Sequence, residues 1–332
     1  MTDLVTGGAG FIGGRLVERL LRGGGAVRVL DLDGRAELPG GVERIVGSAA
    51  DPDTLRNALQ GVRRVFHVAG NPRLWARRAA DFAAANVETT TAVLDEAERA
   101  GVERIVATST AAIHFEPPRG KREPTLDDMP GPYARSKFLA ERAALDTAAR
   151  GVPVVVLNPC LPLGAGDRNI TPPTRMLLDY VNGAVPAFLD FELRAIDAGD
   201  LAEAYVAAAE RGAVGGRYFL GGPPVRMSEL LAAVERLTGL EMPRRRVPYA
   251  LAYTAASVFE LAARVTARPP KASLEGVRMA RRPAVPGALA TAADLGIELR
   301  PLEETLADAL VWLGGQGLVT RRFRTGAAAR SA

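Results

Sequence analysis

Histidine and cysteine are almost missing from this sequence of 332 residues: His67 and His114 are the two imidazoles and Cys160 is the one thiol. Such a set offers no ligand spacing for a metal ion, and a lone cysteine closes no internal disulfide. Lysine is nearly as rare. Of 42 basic side chains only Lys121, Lys137 and Lys271 are lysines, in a chain that otherwise prefers the guanidinium. Long apolar runs are absent as well. The longest uncharged stretch, residues 151–166, holds three prolines and falls short of the roughly 18 apolar residues that a membrane span needs. The first residues, MTDLVTGG, have neither the basic start nor the apolar run of a secretory leader, so a cytoplasmic protein without a membrane span is expected. Aromatics are sparse at 5%. The basic knots Arg244-Arg245-Arg246 and Arg321-Arg322-Phe323-Arg324 lack the interleaved rings that single strands stack on, so they read as solvated surface and no nucleic-acid partner is expected.

What is present is an ordinary globular balance, 48% hydrophobic and 24% charged with a net charge of +4, which excludes a disordered or fibrous chain. At about 150 residues per domain the length suggests two domains, or one large domain with a smaller companion. Short β-branched runs at residues 3–6, 26–30, 43–46, 64–68, 104–108 and 153–157 alternate with helical periods at 13–21, 82–100 and 134–149. That rhythm belongs to an α/β fold whose parallel strands are joined by crossover helices. After about residue 163 the chain turns to loops rich in proline and glycine between shorter helices at 200–210, 227–237, 250–263 and 302–313, with a late strand at 217–220. The expected organisation is a first region of residues 1–165 that 195–222 rejoins, a second region of 166–194 and 223–320, and a frayed tail at 321–332. The apolar stretch 247–259, with Tyr249, Tyr253 and Phe259, reads as a core helix of the second region. The alternative is a helix lying on a membrane surface, but the basic polar face usual for one is missing.

Between the first strand and the first helix, DLVTGGAGFIGG places Gly7, Gly10 and Gly13 in a G-x-x-G-x-x-G turn. One glycine allows the reversal, another lets backbone approach a pyrophosphate, and the last lets the helix press on the strand; the phosphates then sit at the helix N-terminus, beside Phe11 and Ile12. Asp31 ends the second strand 18 residues beyond Gly13, where a carboxylate holds the adenosine ribose hydroxyls and repels a 2'-phosphate. NAD is therefore expected over NADP, with Arg35 as a contrary charge and turn formation in DLDG as the alternative use of the acids. The strand ending near Ala69 finishes in small residues that suit a backbone lying beside the cofactor.

Tyr133 and Lys137 stand four residues apart, on one helical face. A phenol titrates near 10, so proton transfer near neutrality calls for a neighbouring cation, which Lys137 supplies. The preceding strand delivers Thr108, Ser109 and Thr110 at its carboxyl end, the edge where open α/β sheets bind ligands. A hydroxyl there can hold the reacting oxygen while Tyr133 moves the proton and the nicotinamide exchanges hydride. Strand-end capping is the competing use of these hydroxyls.

TGGAGFIGG, FHVAG, NVETT, ATSTA and YARSK, in this order, resemble the extended short-chain dehydrogenase/reductases. NPRLWAR, GPYARSKFLAER, LNPCLPLGAGD and GVRMARR resemble its dihydroflavonol-reductase-like branch, in particular the hopanoid-associated sugar epimerase family. The resemblance covers nearly the whole chain. It implies a Rossmann doubly wound parallel sheet with a smaller, mostly helical C-terminal substrate domain, and a homodimer. It also implies Tyr133 as acid–base residue, Lys137 as its supporting cation, Thr110 as the hydroxyl with Ser109 as runner-up, and Asn86 at the active-site end of the fourth helix. Three positions depart from the pattern: Ser48 stands where an acid commonly meets adenine, Asp31 where the branch usually has a non-acidic residue, and Ile196-Asp197-Ala198-Gly199-Asp200-Leu201 where H-V-D-D-V is usual.

For the substrate side, Trp75, His114, Phe115, Pro159 to Leu161 and Arg175 are candidates, with Pro159 also beside the cofactor. His67 reads as a core histidine and Cys160 as an inert wall, since no activating histidine and acid accompany it. The leading expectation is an NAD(P)-dependent oxidoreductase acting on the ketone, or the matching secondary alcohol, of a fairly apolar small molecule. A nucleotide-sugar 4-epimerase or dehydratase with tightly held NAD is the alternative, and a non-catalytic dinucleotide-binding protein the third.

Overall fold

The computed structural model describes residues 2–117, 123–287 and 289–322, so Lys121 and the tail beyond residue 322 lie outside the described residues. Six β-branched runs form the strands β1 (Thr2–Thr6), β2 (Ala26–Asp31), β3 (Val42–Val46), β4 (Val62–His67), β5 (Arg104–Thr108) and β6 (Val154–Pro159). Between them run the helices α1 (Phe11–Arg22), α2 (Pro52–Ala58), α3 (Ala80–Phe82), α4 (Thr89–Arg99) and α5 (Pro132–Ala149). The expected helix at 82–100 is thus interrupted: Ala83–Glu88 is a wider, π-helical turn between α3 and α4.

The sheet has eight strands in the order Ala290–Thr291, Arg217–Leu220, β6, β5, β4, β1, β2, β3. Every pairing in it is parallel, so both faces need cover. One face packs Val5, Val29, Phe66 and Leu157 against Leu16 and Val17 of α1 and Leu201 and Tyr205 of α7 (Ala198–Arg211, after α6 at Pro172–Val181). The other packs Leu4, Val65, Ile105 and Val156 against Leu55, Leu94 and Ala144 of the opposite helices. The strand Ala290–Thr291, two residues long, was not among the expected ones. Two residues give too little periodicity to read.

The remaining helices are α8 (Met227–Thr238), α9 (Tyr249–Thr266), α10 (Leu274–Ala280) and α11 (Leu302–Gly315). Leu177, Leu193, Leu230, Val234, Leu306 and Leu310 join in a separate core from α6, α8, α11 and the loops between. The reading of 247–259 as a core helix is overturned: α9 buries only Ala256 and Ala263 of its described side chains. Its apolar content covers more of the helix circumference than its neighbours do. Asp197 and Asp200, in the stretch that departs from H-V-D-D-V, build the start of α7. Asp197 accepts from Gly199 N at 2.6 Å, and the Arg300 guanidinium bonds both carboxylates.

The parallel order reverses direction between β1 and β4, which opens a crevice at their carboxyl ends. A cavity-forming change in the central strands tests how tightly this frame is held. Leu157→Ala, at a fully buried site, is expected to cost about 2–5 kcal/mol in urea unfolding, whereas Leu32→Ser at a 76% exposed site should change stability by less than about 0.5 kcal/mol.

Candidate active site

The crevice floor is the glycine turn. Gly7 adopts φ +72°, and a Cβ there would come within 2.7 Å of the Ala69 backbone at the end of β4. A Cβ on Gly13 would overlap the Gly7 carbonyl oxygen. α1 begins at Gly10 without a side-chain cap, which leaves its first N–H groups, those of Phe11 and Ile12 included, for an anion. Asp31 sits at the lip: its Oδ2 accepts from Ala9 N at 2.9 Å and its Oδ1 from Asp33 N at 3.0 Å. The carboxylate is therefore fixed against the turn, so the turn-forming use of Asp31 is observed. Asp33 Oδ1 accepts from Arg35 N and Ala36 N, and the Arg44 guanidinium bonds the carbonyls of Gly34 and Ala36, so this loop is shaped by backbone contacts while Arg35 stays exposed. Ser48 Oγ accepts from Ala50 N at 3.1 Å, a turn contact. A close glycine cradle, uncapped helix N–H groups and a lip carboxylate fit a nicotinamide dinucleotide.

Opposite the floor stands α5, with Tyr133 and Lys137 buried one turn apart. Lys137 Nζ donates to the Thr108 carbonyl at 2.6 Å, which ties the helix to the end of β5. Burial pulls the ammonium down to about 8 against the opposing pull of Glu141. Burial likewise pushes the Tyr133 phenol up to about 12, partly offset by a hydrogen bond with the Thr110 side chain. Desolvation of the phenolate is the largest effect on this phenol, so it stays protonated with the Lys137 ammonium engaged by the strand carbonyl. Thr110 Oγ1 also accepts from Ala112 N at 3.2 Å, so strand-end capping and contact with the phenol share one hydroxyl.

Asn86 lies in the π-helical turn and joins three segments. Its Oδ1 accepts from Asn71 N at 2.8 Å, and its Nδ2 donates to Ser136 Oγ at 2.9 Å and to the Asn71 carbonyl at 3.3 Å. Ser136 Oγ in turn donates to the Tyr133 carbonyl at 2.7 Å. The structure thus brings Asn86, Thr110, Tyr133 and Lys137 together around the end of β5. Ser109 faces a second buried cluster, around Glu141, where its Oγ finds no hydrogen-bond partner among the described residues. There His114 Nε2 lies 3.3 Å from Glu141 Oε1 and 2.9 Å from Asn158 Nδ2, so His114 is engaged as a packing residue. His67 has hydroxyls on both ring nitrogens, Thr6 at 2.8 Å and Thr90 at 3.0 Å, and burial holds it down to about 3, hence neutral. Pro159 ends β6 beside Cys160, whose thiol is pushed up to about 12 by burial and packs with Ala111 and Phe219. Arg175 is exposed with Asp179 3.9 Å away.

Sequence reasoning passed over Glu275. This buried carboxylate on α10 accepts from Tyr133 N at 3.0 Å and Ala134 N at 2.7 Å, capping α5 from more than 140 residues away. A Cβ on Gly131, just before α5, would overlap the Glu275 carboxyl group, so a side chain there would displace the cap. Burial lifts Glu275 to about 7 despite the two N–H donors. The only trace in the sequence is its place immediately before GVRMARR.

Residues 4–221 match the NAD dependent epimerase/dehydratase family. The chain belongs to that family. It is 33% identical to a Synechocystis sp. protein provisionally named dihydroflavonol 4-reductase, over 95% of both chains. It is 29% identical to sterol demethylase protein B of Methylococcus capsulatus, over 96% of this chain and all of that one. The crystal structure of gox2253 superposes with a TM-score of 0.81 at 30% identity, over 96% of this chain and 99% of that one. The family member described here is an NAD(P)-dependent short-chain dehydrogenase/reductase of the dihydroflavonol-reductase-like extended branch, and its cofactor is a nicotinamide dinucleotide.

The Glu275 cap carries a prediction. Glu275→Ala leaves two buried N–H groups unpaired and is expected to cost about 1–3 kcal/mol and to lower turnover; Glu275→Gln, which keeps one acceptor, should fall between. Paired thermal melts and steady-state kinetics check the order, and equal behaviour of the two variants would refute it.

Proposed function

We propose that this enzyme reduces the ketone of a fairly apolar small molecule, or oxidises the matching secondary alcohol, with NAD as the preferred cofactor. The observation that carries the reading is the buried set at the end of β5: Tyr133 in contact with Thr110, and Lys137 one helical turn away. A sensor of dinucleotides needs the glycine cradle but not a desolvated phenol and ammonium beside it. The apolar substrate class is supported by the buried apolar cluster of Ala111, Cys160 and Phe219 that begins next to Thr110, by Phe82 edge-on to Tyr133 at 6.2 Å, and by the reductase and sterol names of two relatives. The Asp31 carboxylate at the lip supports NAD, since it would face a 2'-phosphate with like charge.

When bound, the nicotinamide dinucleotide supplies the hydride donor or acceptor. Gly7, Gly10, Gly13, Phe11, Ile12 and Asp31 would hold it, with Ala69 and Pro159 lining the crevice. Tyr133, protonated up to about 12, donates its proton to the carbonyl oxygen as that oxygen gains charge. Thr110 holds the same oxygen by its hydroxyl, and the Lys137 ammonium stabilises the phenolate left behind. Asn86 acts on position alone, keeping the Tyr133 turn at a fixed height above the loop at Asn71. Alcohol oxidation uses the same groups in reverse.

Incubation with NADH and NADPH against aromatic, polycyclic and nucleotide-sugar ketones tests the reading. Consumption of NADH with an apolar ketone is the expected outcome. If neither cofactor is oxidised while a retained NAD supports inversion of a nucleotide sugar, the epimerase alternative takes its place. Tyr133→Phe should lower turnover by roughly 10²–10⁴-fold with NADH binding, read by fluorescence, intact.

The pH profile follows from Lys137. Its charge is present below about 8 and lost as pH rises through that value, while Tyr133 stays protonated. Turnover in ketone reduction should hold level up to about pH 8 and fall beyond it, and Lys137→Met should be slow and flat across the same range.

A further inference from the structure

The 18 residues of α9 are held to the protein by one narrow face. Its buried residues, Ala256 and Ala263, are seven apart and lie on one side of the helix. Leu251, Val258, Leu261 and Val265 are 56%, 58%, 66% and 83% exposed. At about 100° per residue these four form a single stripe on the side away from Ala256 and Ala263. Of the polar side chains of α9, Thr254 lies within this stripe with its hydroxyl donated to the Ala250 carbonyl at 2.9 Å, and Arg264 and Thr266 are exposed at the helix end. Glu260, its one acid, accepts from Leu274 N at 2.8 Å, and the rings of Tyr249 and Tyr253 lie under the guanidinium groups of Arg281 and Arg278 at 5.0 and 5.8 Å. The outward stripe is thus mostly apolar and free of carboxylates.

The surroundings supply the opposite of what the stripe lacks. Exposed Arg245 precedes α9, and exposed Arg264, Arg268 and Lys271 stand at its end and in the loop that follows. Among the described residues none of these four has a carboxylate within ion-pair distance, whereas the flanking Arg244 and Arg246 are paired with Glu235 and Asp190. Cations at both ends of an apolar stripe decide between two occupants. A second α9, laid parallel or antiparallel, would bring like charges together. An anionic lipid headgroup layer neutralises them while its acyl region receives the leucines and valines.

We propose that α9 is a docking surface for an anionic lipid bilayer, lying in the interface plane with Leu251, Val258, Leu261 and Val265 inserted and the flanking cations on the headgroups. This is contact with one leaflet: among the described residues no helix is long and apolar enough to cross a membrane. The proposal stands apart from the chemistry of the crevice and concerns no residue placed there.

The test is co-sedimentation of the full chain with vesicles of mixed phosphatidylcholine and phosphatidylglycerol, and of phosphatidylcholine alone. Expected is binding at least about tenfold tighter to the anionic vesicles, weakening with added salt. The double variant Leu261→Asp with Val265→Asp should lose at least about tenfold of that binding, while Arg264→Gln with Arg268→Gln should lose its salt-sensitive part. Unchanged NADH binding shows that each variant is folded. As a second readout, an environment-sensitive dye on Leu261→Cys should shift to the blue with anionic vesicles; Cys160 is buried and contributes little. Absence of sedimentation, equal binding by the aspartate variants, no dye shift, or a wild-type dimer that the aspartate variants dissociate each overturns the proposal.

Discussion

The seat of α5 on the end of β5 is the constraint around which the rest of the molecule is arranged. An ammonium and a phenol are buried there together, and burial works against the charged form of each. Lys137 is tolerated because its Nζ reaches a carbonyl at the open end of a parallel strand, where the next ladder bond is missing. The chain keeps one of its three lysines at this place. A compact cation fits against a single carbonyl, while a planar guanidinium would need a wider arrangement of acceptors.

From that seat the supporting contacts run outward in two directions. Toward the first helices, Asn86 in the π-helical turn ties the loop after β4 to Ser136 and the Tyr133 carbonyl. Toward the C-terminal region, Glu275 closes the exposed start of α5, and Arg278 reaches the Pro130 carbonyl at 3.1 Å from the same short helix. The helix carrying the proposed acid–base pair is thus gripped at its N-terminus by α10, on which α9 also packs through its tyrosines. Glu141, one turn past Lys137, anchors the helix farther along through His114 and Asn158.

Local chemistry explains what was readable. Gly7, Gly10 and Gly13 carry a steric requirement at each position, so their spacing survives as a pattern; the same holds for Tyr133 and Lys137, whose four-residue interval is a property of any helix. Runs of four or five residues mark β1 to β6: β6 is buried on both faces and tolerates little but apolar residues, while β3, at the sheet edge, keeps Glu43 and Arg44. Glu275 and Asn158 left no such mark. Each is a single polar residue whose partners lie in other segments, so no interval in the chain records the pairing. α9 misled for a related reason: apolar content shows that a surface needs cover but not whether the fold provides it.

The sequence by itself determined the alternation of strands and helices, the glycine cradle with its lip acid, and the pairing of phenol and lysine on one helical turn. These depend on contacts within a turn or two of the chain, which spacing encodes directly. Only the tertiary structure decided that Lys137 bonds a strand carbonyl and leaves the phenol high, that Ser109 faces Glu141 while Thr110 meets Tyr133, that a distant carboxylate caps α5, and that the stripe on α9 is left in solvent. Those outcomes rest on burial and on partners far apart in sequence, and neither quantity exists until the chain has folded.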